Sequence, residues 1–181
     1  MLNKTNFSGD GQADLVNHGG EHKAVYGFSA DPYPFWQQRL DRPELVYGQF
    51  GENLTIEGLD ESRLCIGDRL AISNAVLEIT QPRVPCFKLG LAFELNAMPR
   101  LFVGHAATGI YFRVIECGEI SAGDPVALVH NDPCQITVQA LFKAYFDQTI
   151  PEQLSQEILL QAKSIEALST EWREKVLSRL N

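Results

Sequence analysis

Short apolar runs broken by glycine turns fill the chain from Gly48 to Val129, and apolar residues at helical spacing fill its end. The runs predict strands at Arg69–Ile72, Ala75–Thr80, Gly109–Val114 and Pro125–Val129, with turns at Ile66-Gly67-Asp68 and Ala122-Gly123-Asp124. A further strand is predicted at Ala24–Phe28, where β-branched and aromatic residues gather. Strands at this spacing predict a closed or nearly closed β-barrel, interrupted by short helices around Phe87–Leu91 and Asn96–Phe102. Asp31-Pro32 predicts a helix start, with Asp as cap and Pro in the first turn, running to Leu40.

No glycine follows Gly123. Thr149-Ile-Pro-Glu152 predicts a capped helix start, with Leu154 and Ile158 on its apolar face. Ser169 is placed to cap a last helix in which Trp172, Val176 and Leu180 recur every four residues. The expected architecture is therefore mainly β with α: a barrel domain over residues 1–135 and a small module of two or three helices over 136–181. Such short helices are marginal alone and need a surface to pack on.

Composition narrows the function classes. A chain of 181 residues with 45% hydrophobic content can bury a core without disulfides or a structural metal. Its net charge of −8 argues against a basic face for nucleic acid. No apolar run approaches the roughly 18 residues of a membrane span, and the first residues lack the apolar stretch of a secretion signal. Cytoplasmic location without membrane contact is the expectation. The four cysteines form no CxxC pair and have no zinc-knuckle spacing; Cys65, Cys117 and Cys134 read as packing residues.

Three segments carry candidate chemistry. His18-Gly19-Gly20-Glu21-His22-Lys23 places a histidine on a glycine loop, where it is an acid, a base or simply a solvated surface group. Phe50-Gly51-Glu52-Asn53 brings a carboxylate and an amide to the start of a strand, as an ordinary turn also would. Gln81-Pro82-Arg83-Val84-Pro85-Cys86 sets an arginine and a cysteine in a segment stiffened by two prolines. A guanidinium offers a planar fork to phosphate or carboxylate, and a cation nearby favours the thiolate that binds soft metals. A buried structural cysteine is the alternative reading of Cys86.

Taken together, His-Gly-Gly-x-x-Lys-Ala, Phe-Gly-Glu-Asn-Leu-Thr-x-x-Gly-Leu, Ile-Gly-Asp and Gln-Pro-Arg-x-Pro-Cys-x-Lys-Leu resemble the MOSC domain, named for the carboxy-terminal domains of molybdenum cofactor sulfurases. More narrowly, they resemble its YiiM-type branch, the 6-N-hydroxylaminopurine resistance proteins. Leu168-Ser169-x-x-Trp172 resembles the three-helix module that follows the barrel in that branch. The resemblance implies a MOSC-type barrel that binds molybdenum cofactor (Mo-molybdopterin), with Cys86 as the molybdenum ligand. It implies catalytic roles for Cys86, His18 and Glu52. Arg83, Lys23, Asn53, Gly19 and Gly20 are the implied cofactor-binding residues, and His22 has no catalytic role. Pyridoxal phosphate is a further ligand associated with the family, with no residue of this chain assigned to it. The implied reaction is molybdenum-dependent reduction of N-hydroxylated bases, a detoxifying oxidoreduction. Its electrons would come from a flavin or iron–sulfur reductase, with the helical module as a docking surface. A sulfur carrier using a Cys86 persulfide and a non-catalytic cofactor-binding module are the alternatives. Family members begin some tens of residues before the Gly9–Asp14 stretch, so a missing amino-terminal strand, an open sheet edge and a homodimer are further expectations.

Overall fold

The computed structural model describes residues 1–9 and 19–181. Six strands form one curled, mixed sheet: β1 (Val25–Ser29), β2 (Leu54–Ile56), β3 (Arg69–Ile72), β4 (Ala75–Pro82), β5 (Ile110–Glu116) and β6 (Val126–His130). Their spatial order is β2-β1-β5-β4-β3-β6. The β1–β2 pair is parallel and the other four pairs are antiparallel. The register shifts twice between β4 and β5, at Val76/Leu77 and Ile79/Gln81, where bulges increase twist and help the sheet curl.

Every residue of β1 is buried, because both faces of that strand are covered. Val25 points into a core shared by the sheet and the C-terminal helices, whereas Tyr26 and Phe28 point into a second, aromatic core. This is the two-residue alternation of a strand serving two interiors at once. The aromatic core lies under α1 (Tyr33–Leu40), α2 (Phe87–Ala92) and α3 (Met98–His105). There the rings of Phe50 and Phe102 stack 5.2 Å apart.

The helical end consists of α4 (Val138–Phe146), α5 (Glu152–Ala162) and α6 (Thr170–Leu180). Leu141, Phe142, Leu159 and Trp172 join Leu77 and Ile79 of β4 in one apolar cluster, with α4 on the sheet and α5 and α6 extending the same core. Ser169 caps α6 as its sequence predicts, its hydroxyl accepting the Trp172 N–H at 3.2 Å. Two other expected caps are replaced. Thr149 donates its hydroxyl to Asp147, and α5 starts after Pro151 without a side-chain cap. Asp31 accepts the Gly58 N–H at 3.4 Å, and α1 begins at Tyr33 with Pro32 before it. The buried stripe of α5 is Ser155, Leu159 and Ala162, one position beyond the expected Leu154/Ile158 face, and Leu154 is exposed. Two leucines sit side by side at positions 159 and 160, so spacing alone leaves the phase of this helix open.

The curl does not close among the described residues. β6 pairs on one side only, with β3, and Val126, Leu128 and Val129 are 39%, 46% and 56% exposed. A groove of about 780 Å³ runs between this edge and β2 at the other end of the sheet, lined by Leu54, Thr55 and Ile56 on one side and Val126 on the other. Both end strands, β2 and β6, pair on one side only among the described residues, and the sheet is a half-barrel.

Candidate functional site

β4 leads into the Gln81–Cys86 segment, and Cys86 stands at the cap position of α2 in extended backbone (φ −113, ψ 176). Its thiol is half-buried and forms no disulfide. The backbone of Arg83 is tied on both sides: its N–H donates to Gly109 O at 2.9 Å, and its carbonyl accepts the Thr108 hydroxyl at 2.6 Å. Gly109 takes a positive φ of 89°, and a β-carbon there would stand 2.4 Å from the Tyr26 ring, so only glycine fits.

The Thr108–Gly109 turn is itself held by a buried carboxyl. Glu61 accepts the Gly109 N–H at 2.7 Å and the Thr108 N–H at 3.3 Å. Burial pushes its pKa up to about 7, against the opposing pull of those two N–H groups. The Tyr26 hydroxyl closes the arrangement by donating to Thr108 O at 2.8 Å.

The Arg83 side chain is 8% exposed and lies over two rings, 4.9 Å from the centroid of Tyr26 and 5.4 Å from that of Phe102. Its charge opposes the rise in the Tyr111 pKa, and its Nη1 is buried with no partner among the described residues. Tyr111 is the hub of the site. Burial raises its pKa, with Arg83 acting the other way and Cys86 and Glu171 adding to the rise. Lys23 stands 5.9 Å from the Tyr111 ring centroid and pairs with Glu171 at the start of α6. Arg83, Lys23, Cys86, Tyr111 and Glu171 therefore share one neighbourhood, with the carbonyl of Pro82 accepting the Trp172 indole N–H at 3.0 Å along its border.

The other predicted site residues fall as follows. Gly20 adopts a positive φ of 91° and its carbonyl accepts the Lys23 N–H at 3.1 Å, forming the 3-10 turn that aims Lys23; Gly19 precedes it. His22 lies on the same turn, and burial holds its imidazole pKa below the usual value, helped by Arg113. Glu52 is buried. Its Oε1 accepts from the Tyr33 hydroxyl, from Gly48 N at 2.9 Å and from the Thr55 hydroxyl at 3.0 Å. Its Oε2 has no partner among the described residues. Asn53 clamps β1: its Oδ1 accepts the Tyr26 N–H at 2.9 Å and its N–H donates to Tyr26 O at 2.8 Å. His18 lies outside the described residues.

Among the remaining cysteines only Cys65 is buried, its thiol pKa raised to about 11 by that burial. Cys117 and Cys134 are exposed, which corrects their reading as packing residues. Cys117 directly follows β5 and Cys134 lies in a turn, and a strand-like apolar pattern does not separate such positions from strand interiors. Among the described residues no three His, Cys, Asp or Glu side chains converge to hold a metal ion, so protein ligation of a metal at this site would rest on one sulfur.

Sequence reasoning missed Tyr111, Tyr26, Glu61 and Glu171. Glu171 reads as an ordinary helix-start carboxylate, and the tyrosines read as strand residues. Only Glu61, a carboxylate two residues past Gly58-Leu59, carried a faint signal, by lying in the run that continues the Glu52–Leu59 motif.

Residues 14–127 match the family model for the MOSC domain. The chain belongs to the MOSC family. Within it, the match is to the YiiM type. YiiM of Escherichia coli (strain K12) is 34% identical over 77% of this chain and 62% of its own length. YflK of Bacillus subtilis (strain 168), an uncharacterised protein, is 41% identical over 99% of this chain and 79% of its own length. A relative from Gibberella moniliformis (strain M3125 / FGSC 7600) called "Reductase" is 34% identical over 70% of this chain, which spans 23% of that protein. The crystal structure of YiiM from Geobacillus stearothermophilus superposes with a TM-score of 0.83 at 32% identity, covering 90% of this chain and 80% of that one. Among the described residues no helix is long and apolar enough to cross a membrane.

Proposed function

We propose that this MOSC chain binds molybdenum cofactor at the Cys86–Arg83–Lys23 cluster and reduces N-hydroxylated bases or related compounds. The observation that carries the reading is a half-buried thiol in the same neighbourhood as an arginine whose Nη1 is buried and has no partner among the described residues. A buried donor without an acceptor costs stability, and an anion supplied from outside removes that cost. The donor set suits a cofactor that ends in a phosphate and carries a soft metal.

Cys86 Sγ would be the metal ligand, and its cap position at the rigid end of β4 fixes where that sulfur points. Arg83 and Lys23 would hold the phosphate and the pterin edge, with Tyr111 between them. Gly19 and Gly20 would let the backbone approach the ligand, and Asn53 serves by fixing β1 under Tyr26. When bound, the molybdenum centre supplies two-electron redox chemistry. Cleaving the N–O bond of a hydroxylamine takes two electrons and two protons and releases an amine and water. His18 is the proposed proton donor, and the unpartnered Oε2 of Glu52 is an acceptor suited to orienting an imidazole N–H. The electrons would come from a flavin or iron–sulfur reductase in the cytoplasm. The relative named "Reductase" supports the oxidoreductase class.

The test is metal and pterin analysis of protein made in a cofactor-competent host, wild type beside Cys86→Ala, followed by N-hydroxyl reduction with an added reductase. Stoichiometric molybdenum in the wild type and its loss in Cys86→Ala are expected. Equal molybdenum and activity in both proteins would overturn the proposal.

A further inference from the structure

Lys23 cannot serve an incoming anion and Glu171 equally well. It is 14% exposed at its side chain, it pairs with Glu171 of α6, and it lies over the ring of Tyr111, whose acidity Arg83 also influences. Glu171 itself is 39% exposed, and its second oxygen stands 3.6 Å from Lys175 one helical turn on. That leaves the carboxylate an alternative cation and open solvent on its outer side. Among the described residues no carboxylate pairs with Arg83, and its Nη1 is buried without a partner there. One of the two cations near Tyr111 is therefore occupied by an acidic side chain, and the other offers a buried N–H.

We infer that Glu171 is an internal stand-in for the ligand's anionic group, occupying Lys23 until a phosphate-bearing ligand displaces it. This deepens the cofactor reading and rests on the anion site that reading requires. In the apo protein the carboxylate keeps a largely desolvated ammonium paired, which avoids the penalty of an uncompensated charge. On ligand binding Lys23 turns to the incoming anion and Glu171 relaxes toward Lys175. The cost is apparent affinity, since the binding-competent state is only a fraction of the population. The gain is coupling. Glu171 lies in the first turn of α6, and Trp172 beside it donates to Pro82 O at the root of the Gln81–Cys86 segment, so occupancy of the site is felt by the helical module.

A merely structural ion pair and an internal competitor predict opposite signs. If the pair only braces the fold, Glu171→Gln loosens the site and weakens anion binding. If Glu171 competes, its removal tightens binding. The probe is inorganic pyrophosphate, titrated calorimetrically at fixed ionic strength into the apo chain. The variants are Glu171→Gln, Glu174→Gln as an exposed charge-matched control on the same helix, and Lys23→Gln alone and combined with Glu171→Gln. Roughly three- to tenfold tighter binding is expected for Glu171→Gln, with little change for Glu174→Gln and no gain in the Lys23→Gln background. Binding by Glu171→Gln that is equal to or weaker than wild type overturns the inference. So does a gain matched by Glu174→Gln or one that survives Lys23→Gln. Those outcomes leave the cofactor reading standing, whereas failure of every protein to bind pyrophosphate removes the anion site and both proposals with it.

Discussion

The guanidinium of Arg83 lies over the ring of Tyr26, 4.9 Å from its centroid, and Phe102 supports it at 5.4 Å. A planar cation stacked on aromatic faces keeps its charge in a desolvated place because the ring quadrupoles replace part of its hydration. The geometry depends on the flat, delocalised group. Arg83→Lys is therefore not a conservative change. It should cost about 1–2 kcal/mol in urea unfolding and weaken pyrophosphate binding at least about tenfold. A lysine variant with unchanged affinity would mean the fork geometry has no part in the site.

Glu61 gives the fold a pH dependence with a defined sign. Burial holds its folded pKa near 7, above the ordinary value of 4.5, so the fold prefers the protonated acid. Stability from this group is fully present below pH 4.5 and is lost as pH rises through 7. Asp60 adds slightly to the rise, and Tyr26 is the other ionisable neighbour. Comparison with Glu61→Gln isolates the effect, because other titrating groups cancel in the difference. Between pH 4.5 and 8 the wild type should lose about 3 kcal/mol relative to the variant, measured by urea unfolding at each pH. A difference that stays flat with pH would show that Glu61 keeps an ordinary acidity.

Sequence pattern revealed most strands of this half-barrel because short apolar runs are bounded by glycine, proline or Ser-Asn turns. Arg69–Ile72 was legible to the residue, and β4 and β5 to within two positions at their ends. The helices were legible as elements but less so as faces, since adjacent Leu159 and Leu160 allow two phases for α5. The site divides in the same way. Arg83 and Cys86 stood out because prolines on both sides announce a fixed segment. Tyr111 and Glu171 did not, because what makes them part of the site is distance across the fold. Nothing in a strand tyrosine or a helix-start glutamate announces that an arginine and a lysine from elsewhere will meet there.

The Trp172 indole connects the last helix to the site, donating to Pro82 O at 3.0 Å from a fully buried ring. Trp172→Phe keeps most of the apolar area and removes the donor, leaving a buried carbonyl unsatisfied. The expected loss is about 1–3 kcal/mol in chemical unfolding. Because that carbonyl precedes Arg83, the variant should also change the alkylation rate of Cys86 by iodoacetamide under native conditions. Unaltered Cys86 reactivity would mean that the helix stabilises the sheet without bearing on the site.

The open edge makes its own prediction. β6 carries no charged side chain between Val126 and Val129, and its Val126, Leu128 and Val129 are 39%, 46% and 56% exposed. Natural sheets defend such edges with lysine, proline or a covering element, because unpaired N–H and C=O groups recruit another strand. Among the described residues, Pro125 stands guard at one end. Leu128→Lys places a charge at mid-strand where the side chain is already half in water, so folding stability should change by less than about 0.5 kcal/mol. Association should change far more. Light scattering at rising protein concentration should show the wild type assembling at a lower concentration than Leu128→Lys. Identical curves would mean that the β6 edge is covered in solution, and that the exposure of Val126, Leu128 and Val129 has no bearing on how the protein associates.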